Sequence, residues 1–344
     1  MRIYLTVLAV RILALALAGR LSWQALAAPP SRADYADQCA AEMGVIPQFN
    51  CLDGDLLDIT VNGVSQTHPP SDGKCDKPVQ LGLAGNQCVP FSRLLRIDTG
   101  TPGVTTIAIC RKYFDSTGPQ DQRFDDIAMI QHNKTSGRTC FFQSKLEASL
   151  DGRTVPSPSD RTSAGTKYWL ENEAGGPNGI PCSSCHAADP VIWSLFVAQK
   201  ADLSTWDPKG KYDSNFADLF GAFAKVFTPN GNACVACHRF GRGPANDLAC
   251  SRFPTQYSGH LDHATNPGEF LMPPGFGSNA TAWHAAFDAA FAQVTRCCDN
   301  PDLAECNSRL ANDETPVIVN TDDITTLNPV IFAPEETTVI EIQN

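Results

Sequence analysis

The chain has 344 residues, enough for about two domains of ordinary size, each able to bury a core of its own. With 26 basic against 37 acidic side chains its formal charge is −11, which disfavours nucleic acid and anionic lipid as partners. Fourteen cysteines are more than a reducing cytosol usually accommodates and suit an oxidising compartment.

The first 27 residues carry Arg2, Arg11 and Arg20 and no acid, with apolar runs at 3–10 and 12–19. Arg11 and Arg20 interrupt the apolar stretch, and neither run approaches the roughly 18 residues of a spanning helix. Ala25-Leu26-Ala27 puts small residues three and one positions before a cut, and Ala28-Pro29-Pro30 would then open a chain that resists helix formation. Residues 1–27 are therefore expected to be a signal peptide cleaved after Ala27, and loss of its three arginines takes the charge from −11 to −14. No other segment is apolar enough to span a bilayer, and no cysteine follows the cut in position for a lipid. The mature protein is expected to be exported without a membrane span, to the periplasm, or else secreted or displayed on the outer cell surface.

Short β-prone runs follow at 94–97, 105–111, 127–131 and 139–143, separated by Gly, Asp, Asn and Pro clusters. The last two are predicted to form a hairpin through Asn133-Lys134-Thr135-Ser136-Gly137, with His132 at its turn. Six cysteines (Cys39, Cys51, Cys75, Cys88, Cys110, Cys140) lie in this half, and four (Cys250, Cys297, Cys298, Cys306) lie near the other end. Both counts are even, so pairing within each half is expected, with the connectivity left open. A bridge between adjacent residues strains disulfide geometry, so Cys297 and Cys298 should each pair elsewhere, with Cys250 and Cys306 the near candidates.

The polar, turn-rich stretch 151–165 is read as a linker. Beyond it the pattern turns helical, with Asp213 as a cap before Phe216, Leu219, Phe220, Phe223 and Phe227, and with Trp283, Phe287, Phe291 and Val294 repeating the spacing within 281–296. After 312 the sequence becomes acidic and β-branched, and a strand or two is expected there, completing the N-terminal sheet. The expected architecture is α+β. An N-terminal disulfide-rich β domain (28–150), the linker (151–165), a mainly α-helical dihaem module (166–312) and an acidic β-prone tail (313–344) follow the signal peptide in that order.

The chemistry-bearing residues are Cys182-Ser183-Ser184-Cys185-His186 and Cys234-Val235-Ala236-Cys237-His238. In a C-x-x-C-H segment two thiols three residues apart can form thioethers with the two vinyl groups of a haem, while the next histidine turns under the iron. One such motif could equally be a dithiol redox pair. Here there are two, and both carry the lead-in Pro-Asn-Gly, at Pro177-Asn178-Gly179 and Pro229-Asn230-Gly231, so that P-N-G-x-x-C-x-x-C-H repeats at an offset of 52 residues. A zinc site made from the four cysteines would need to close 48 intervening residues, against roughly 15–20 in a compact zinc ribbon, and would leave both histidines without a role.

On these residues the chain resembles the c-type cytochromes, over about residues 166–300. The resemblance implies two haem c groups, covalently held by Cys182 and Cys185 and by Cys234 and Cys237, with His186 and His238 as proximal iron ligands. It also implies distal ligands among the other methionines and histidines. Beyond the signal peptide the methionines are Met43, Met129 and Met272. Phe270-Leu271-Met272-Pro273-Pro274-Gly275 is similar to the Met-Pro loop that supplies the distal thioether in many of these cytochromes, so Met272 is assigned to the second haem. For the first haem the candidates are His260, His263 and His132, with His284 and His68 less favoured. His260 and His263 share a face if their segment is helical. An offset of 52 residues is too short for a first domain with its own distal loop, so the two haems should share one compact module. The apolar residues Val191, Ile192, Trp193, Leu195 and Phe196, and the phenylalanines from 216 to 227, are read as crevice walls.

No nucleophile arrangement or acid–base pair is legible, whereas two haems suffice for one-electron transfer. The expected function is thus a non-enzymatic electron carrier or relay. A peroxidase- or oxidase-like dihaem enzyme with one open iron is the alternative, although dihaem peroxidases as a family space their motifs more widely. A haem-based sensor, with the β-rich half docking a partner, is a third. The acidic surface favours a redox donor or acceptor with a basic docking surface and makes association salt-sensitive.

Overall fold

Ser31 caps the first helix, α1 (Arg32–Met43): its hydroxyl accepts from the Asp34 amide, and Asp34 places negative charge in the first turn. Tyr35, Ala36, Cys39 and Met43 recur at helical spacing and are the buried side of this helix. Gly44 ends it at φ 81°, returning its N–H to the Ala40 carbonyl, and a side chain there would run into Thr99 and Thr101. The computed structural model describes residues 31–73, 75, 88–113, 116–145, 150–171, 186, 190–191, 200, 225–236, 240–242, 250 and 280–310. The expected signal peptide and the β-prone tail after 312 lie outside the described residues.

Nine strands follow α1 in the first half: β1 (Asp55–Leu56), β2 (Thr60–Val61), β3 (Val64–Ser65), β4 (Arg93–Ile97), β5 (Val104–Arg111), β6 (Arg123–Phe124), β7 (Asp126–Asn133), β8 (Thr139–Gln143) and β9 (Leu150–Asp151). Five form one antiparallel sheet in the order β1-β4-β5-β7-β8, while β2 with β3 and β6 with β9 make two small pairs. The β-branched residues of β5 and β7 suit a pleated surface buried on both sides. One face presents Leu95, Ala108, Cys110, Ile127, Met129, Cys140 and Phe142 to α1, and with Trp169 and Val155 this is the main core. Gln131 on the same face donates to the carbonyls of Met43 (3.1 Å) and Gly44 (2.8 Å), supplying partners where the helix leaves carbonyls unbonded. The opposite face presents Leu94, Ile107 and Ile109 to Leu57, Ile59 and Cys88, a second and smaller core.

Three disulfides fasten this region. Cys39–Cys140 ties α1 to β8, Cys51–Cys110 ties the turn before β1 to β5, and Cys75–Cys88 lies against the second face. At the sheet's end the fully buried Asp126 accepts from Arg111 (2.6 Å), from the Tyr113 hydroxyl (2.7 Å) and from Gln143. Burial opposes charge on Arg111, but Asp126 beside it more than offsets that and raises its pKa; burial pushes the Tyr113 hydroxyl up as well. The polar stretch 151–160 is packed into this half. Val155 is buried and pairs with Phe49 in an isolated bridge, and the Arg32 guanidinium donates to the carbonyls of Pro158 and Asp160. A short helix, α2 (Ser163–Tyr168), is capped by Thr162 and leads to Trp169, whose indole donates to the Pro156 carbonyl at 2.9 Å.

In the second half the described elements are the strands β10 (Lys225–Phe227), β11 (Phe240–Arg242) and β12 (Ser308–Leu310), ordered β11-β10-β12 and antiparallel, and the helix α3 (Ala280–Asp299). They enclose Phe227, Phe240, Val294 and four cysteines, bridged as Cys250–Cys298 and Cys297–Cys306. Adjacent Cys297 and Cys298 thus pair with the two cysteines expected, and all five bridges stay within their own half.

The expectation of a mainly α-helical module in the second half is corrected. The described chain is mixed throughout, with the five-stranded sheet as its largest element, and the described part of the second half is a small antiparallel sheet beside one long helix. Phe227, read as the last residue of a helical face, lies in β10, where it is buried and stacks on Phe240 across the ladder with ring centroids 6.1 Å apart. Val226 and Phe227 are as well suited to a strand as to a helix, and Pro229 stops a helix from continuing. The rest of that pattern, 213–224, lies outside the described residues. The helix expected over 281–296 is α3, with Phe287 and Val294 turned into the core.

Candidate functional site

The second motif is approached through a turn that explains its lead-in. The Asn232 amide reaches back to the Pro229 carbonyl (3.3 Å), and Gly231 sits at φ 68°, a left-handed conformation that suits glycine. The buried Asn232 side chain is fully employed. Its Nδ2 donates to the Ala290 carbonyl (2.7 Å) and to Gln293 Oε1 (2.9 Å) on α3, and its Oδ1 accepts from the Cys234 amide (2.9 Å). The Cys234 amide is thereby fixed at the start of a 3-10 turn over Ala233–Ala236, and the Cys234 side chain packs against the disulfide-bridged core. In the first copy of the repeat Ile180 stands where the second has Asn232, so this latch belongs to the second motif.

The first motif meets the N-terminal sheet. His186 is half-buried, and its ring lies 5.1 Å, centroid to centroid, from the ring of Phe141 on β8, tilted by 42°. Val191, expected as a crevice wall, packs against the second face of the sheet, on the cluster of Leu57, Ile59, Leu94 and Ile107. His186 and Val191 therefore both lie on a surface supplied by the first half.

His132 lies on that same surface. It was expected at the hairpin turn, but it is a ladder residue of β7 directly opposite Thr139 on β8. Asn133 extends the pairing one step further, donating to the Arg138 carbonyl (2.9 Å) and accepting from Gly137 N–H (2.7 Å). The imidazole of His132 is 5% exposed, with Nδ1 2.8 Å from Thr139 Oγ1. Since alternate residues share a face, His132, Thr139, Ile130 and Phe141 form one patch across β7 and β8.

The other described candidates are engaged elsewhere. His284 is on the exposed side of α3, with Nδ1 2.7 Å from Asp288, and exposed His68 bonds Thr67 at 3.1 Å. Met43 and Met129 are buried in the main core, on the face of the sheet turned away from His132 and Phe141. Cys182, Cys185, Cys237, His238, His260, His263 and Met272 lie outside the described residues, as do Ile192, Trp193, Leu195 and Phe196. Among the described residues no group of three or more His, Cys, Asp or Glu side chains is placed to hold a metal ion.

The donor chemistry fits covalently attached haem. Each of the ten cysteines outside the two motifs is bridged to another of the ten, so no disulfide of the scaffold draws on a motif cysteine. The sequence sets two cysteines at three-residue spacing with a histidine adjacent in each motif, and the described parts, His186 and Cys234, both border apolar surface. Sequence reasoning missed two of the residues that shape the sites. Phe141 was seen only as part of a strand, although the alternation of that strand puts it on one face with His132, and Asn232 was seen only as a spacer.

Five disulfides fit an exported or extracellular protein, and among the described residues no helix is long and apolar enough to cross a membrane. Comparison with family models, with curated proteins and with solved structures finds no match to the chain.

Proposed function

We propose that this chain is an exported dihaem c-type cytochrome, directed to the periplasm by residues 1–27, that relays single electrons between redox partners. The observation that carries the proposal is the repeated P-N-G-x-x-C-x-x-C-H segment in a chain whose ten other cysteines bridge one another. Cys182 and Cys185 would hold one haem and Cys234 and Cys237 the other, with His186 and His238 as proximal ligands and Met272 as the distal ligand of the second. Bound haem supplies a one-electron iron couple whose potential depends on axial ligand and burial.

The chain's own residues contribute position and shielding. Asn232 holds the backbone of Cys234 against α3, which keeps the attachment turn from moving relative to the disulfide-bridged core. Phe141 offers a flat apolar partner to the His186 imidazole, limiting its rotation and excluding water from one side. The acidic net charge of −11 favours a partner with a basic docking surface.

The test is made on the full chain, expressed with residues 1–27 in a host that matures c-type haem. A relay should take up two electrons per chain, pass them to a soluble acceptor, and give a reduced spectrum indifferent to carbon monoxide. A wild-type protein in which carbon monoxide shifts part of the Soret band has an open iron, which contradicts a simple relay and favours small-molecule chemistry.

A further inference from the structure

We infer that His132, from the N-terminal sheet, is the sixth ligand of the iron whose fifth ligand is His186, so that the first haem is bis-histidine and is bound by the sheet as well as by its own motif. The inference rests on the dihaem reading and adds to it a role for the β-rich half, which a simple carrier does not need.

Placement is the first support. The ring of His186 lies against Phe141, and Phe141 stands diagonal to His132 across the β7–β8 ladder, where Ile130 pairs with Phe141 and His132 with Thr139. Residues 54 positions apart in the sequence are thus brought to one patch of one sheet face. His68 and His284 are exposed and bonded to neighbours on their own segments, and Met43 and Met129 lie across the sheet in the main core.

The tautomer is the second support. Thr139 Oγ1 donates its one proton to the Gly137 carbonyl at 3.0 Å, so towards His132 it can only accept. In a neutral His132, Nδ1, 2.8 Å away, then donates to that oxygen, and the lone pair lies on Nε2. Metal-binding histidines characteristically donate their other N–H to a fixed oxygen in this way, which orients the ring and raises its basicity. In that tautomer the nearly buried imidazole presents the nitrogen that a metal would take.

A bis-histidine first haem and a His/Met second haem would differ in potential, the second being higher, so electrons would run from the first motif to the second.

The test uses the matured full chain. In ferric wild-type protein, near-infrared magnetic circular dichroism should show one bis-histidine and one His/Met low-spin haem. His132→Ala should keep both haems covalently attached while one becomes high-spin and binds carbon monoxide when reduced, and added imidazole should restore the low-spin state. His132→Met, which retains a ligating side chain, should stay low-spin with a raised midpoint potential at that haem alone. The inference is overturned by a wild type lacking a bis-histidine signal, by His132→Ala remaining fully low-spin and inert to carbon monoxide, or by His132→Met leaving both potentials unchanged. Should His132→Ala not fold, the wild-type spectrum and the methionine variant decide. A wild type without covalent haem would instead overturn the dihaem reading, and this inference with it.

Discussion

Among the described residues, the main core beside the five-stranded sheet and the core beside the second motif each contain four bridged cysteines, but the first surrounds them with twelve other buried residues and the second with three. In the sheet region the bridges supplement an apolar interior that already spans α1, five strands and Trp169. Around α3 they make up four of the seven buried residues of the core among the described residues, a larger share than beside the sheet. Equal numbers of bridges should therefore have unequal consequences when removed.

The largest effect is expected from removing Cys250–Cys298. Restoring the entropy of the loop it closes, 48 residues in separation, costs about 4 kcal/mol on a chain-entropy estimate, comparable with the whole stability of a small core. Paired Cys250→Ala and Cys298→Ala changes should abolish amide-exchange protection in α3 while β5 and β7 stay protected. Removing Cys39–Cys140, whose separation is 101, should lower the melting temperature but leave the sheet folded. Equal loss of protection in both regions would break the comparison.

Phe227→Ala should come next, at about 3–4 kcal/mol, because it removes a fully buried ring that stacks on Phe240. Thermal unfolding followed separately by a probe on α3 and by one on the sheet should place nearly all of that loss in the second region. Asn232→Ala is expected to cost about 1–2 kcal/mol by leaving the Cys234 amide and the Ala290 carbonyl without this partner. Mass spectrometry of the matured variant should show attachment falling at Cys234 and Cys237 and unchanged at Cys182 and Cys185.

A pH-dependent effect belongs to Lys112 in the sheet region. Its ammonium lies 4.2 Å over the Phe124 ring and donates to the Asp121 carbonyl at 2.8 Å, and burial pushes its pKa down to about 8 from 10.5. Between those values the unfolded chain binds the extra proton, so this group makes folding more favourable as pH rises through the window. Wild type should gain stability relative to Lys112→Met from pH 8 to 10.5 in denaturant titrations, and a gain in the opposite direction would contradict the burial of that charge.

What could be read from the sequence follows from how local each determinant is. The strands at 93–97, 104–111, 126–133 and 139–143 announce themselves by β-branched residues between turn formers, and that Cys297 and Cys298 do not bridge each other follows from their adjacency. Helix α1 was equally legible, with Ser31 as cap and apolar positions at 35, 36, 39 and 43, but it was passed over. Strand β10 was not, because phenylalanines at helical spacing lead into it and its partner β12 lies about 80 residues downstream. His132 was displaced into the turn because Asn133 adds a ladder step that the turn residues conceal. Asn232 owes its role to Ala290 and Gln293, 58 and 61 residues away, and no local pattern announces that contact. The six-cysteine connectivity likewise depends on sheet register, which brings Cys110 and Cys140 to the face that α1 covers.

The most direct measurement is the count of covalently bound haem in the mature protein, by pyridine haemochrome spectrum and by mass after full denaturation and reduction. The account predicts two haems per chain, with a thioether-type α band, falling to one in a Cys234→Ser, Cys237→Ser variant whose five disulfides remain intact. A chain that folds with those disulfides and retains no haem after denaturation would contradict it.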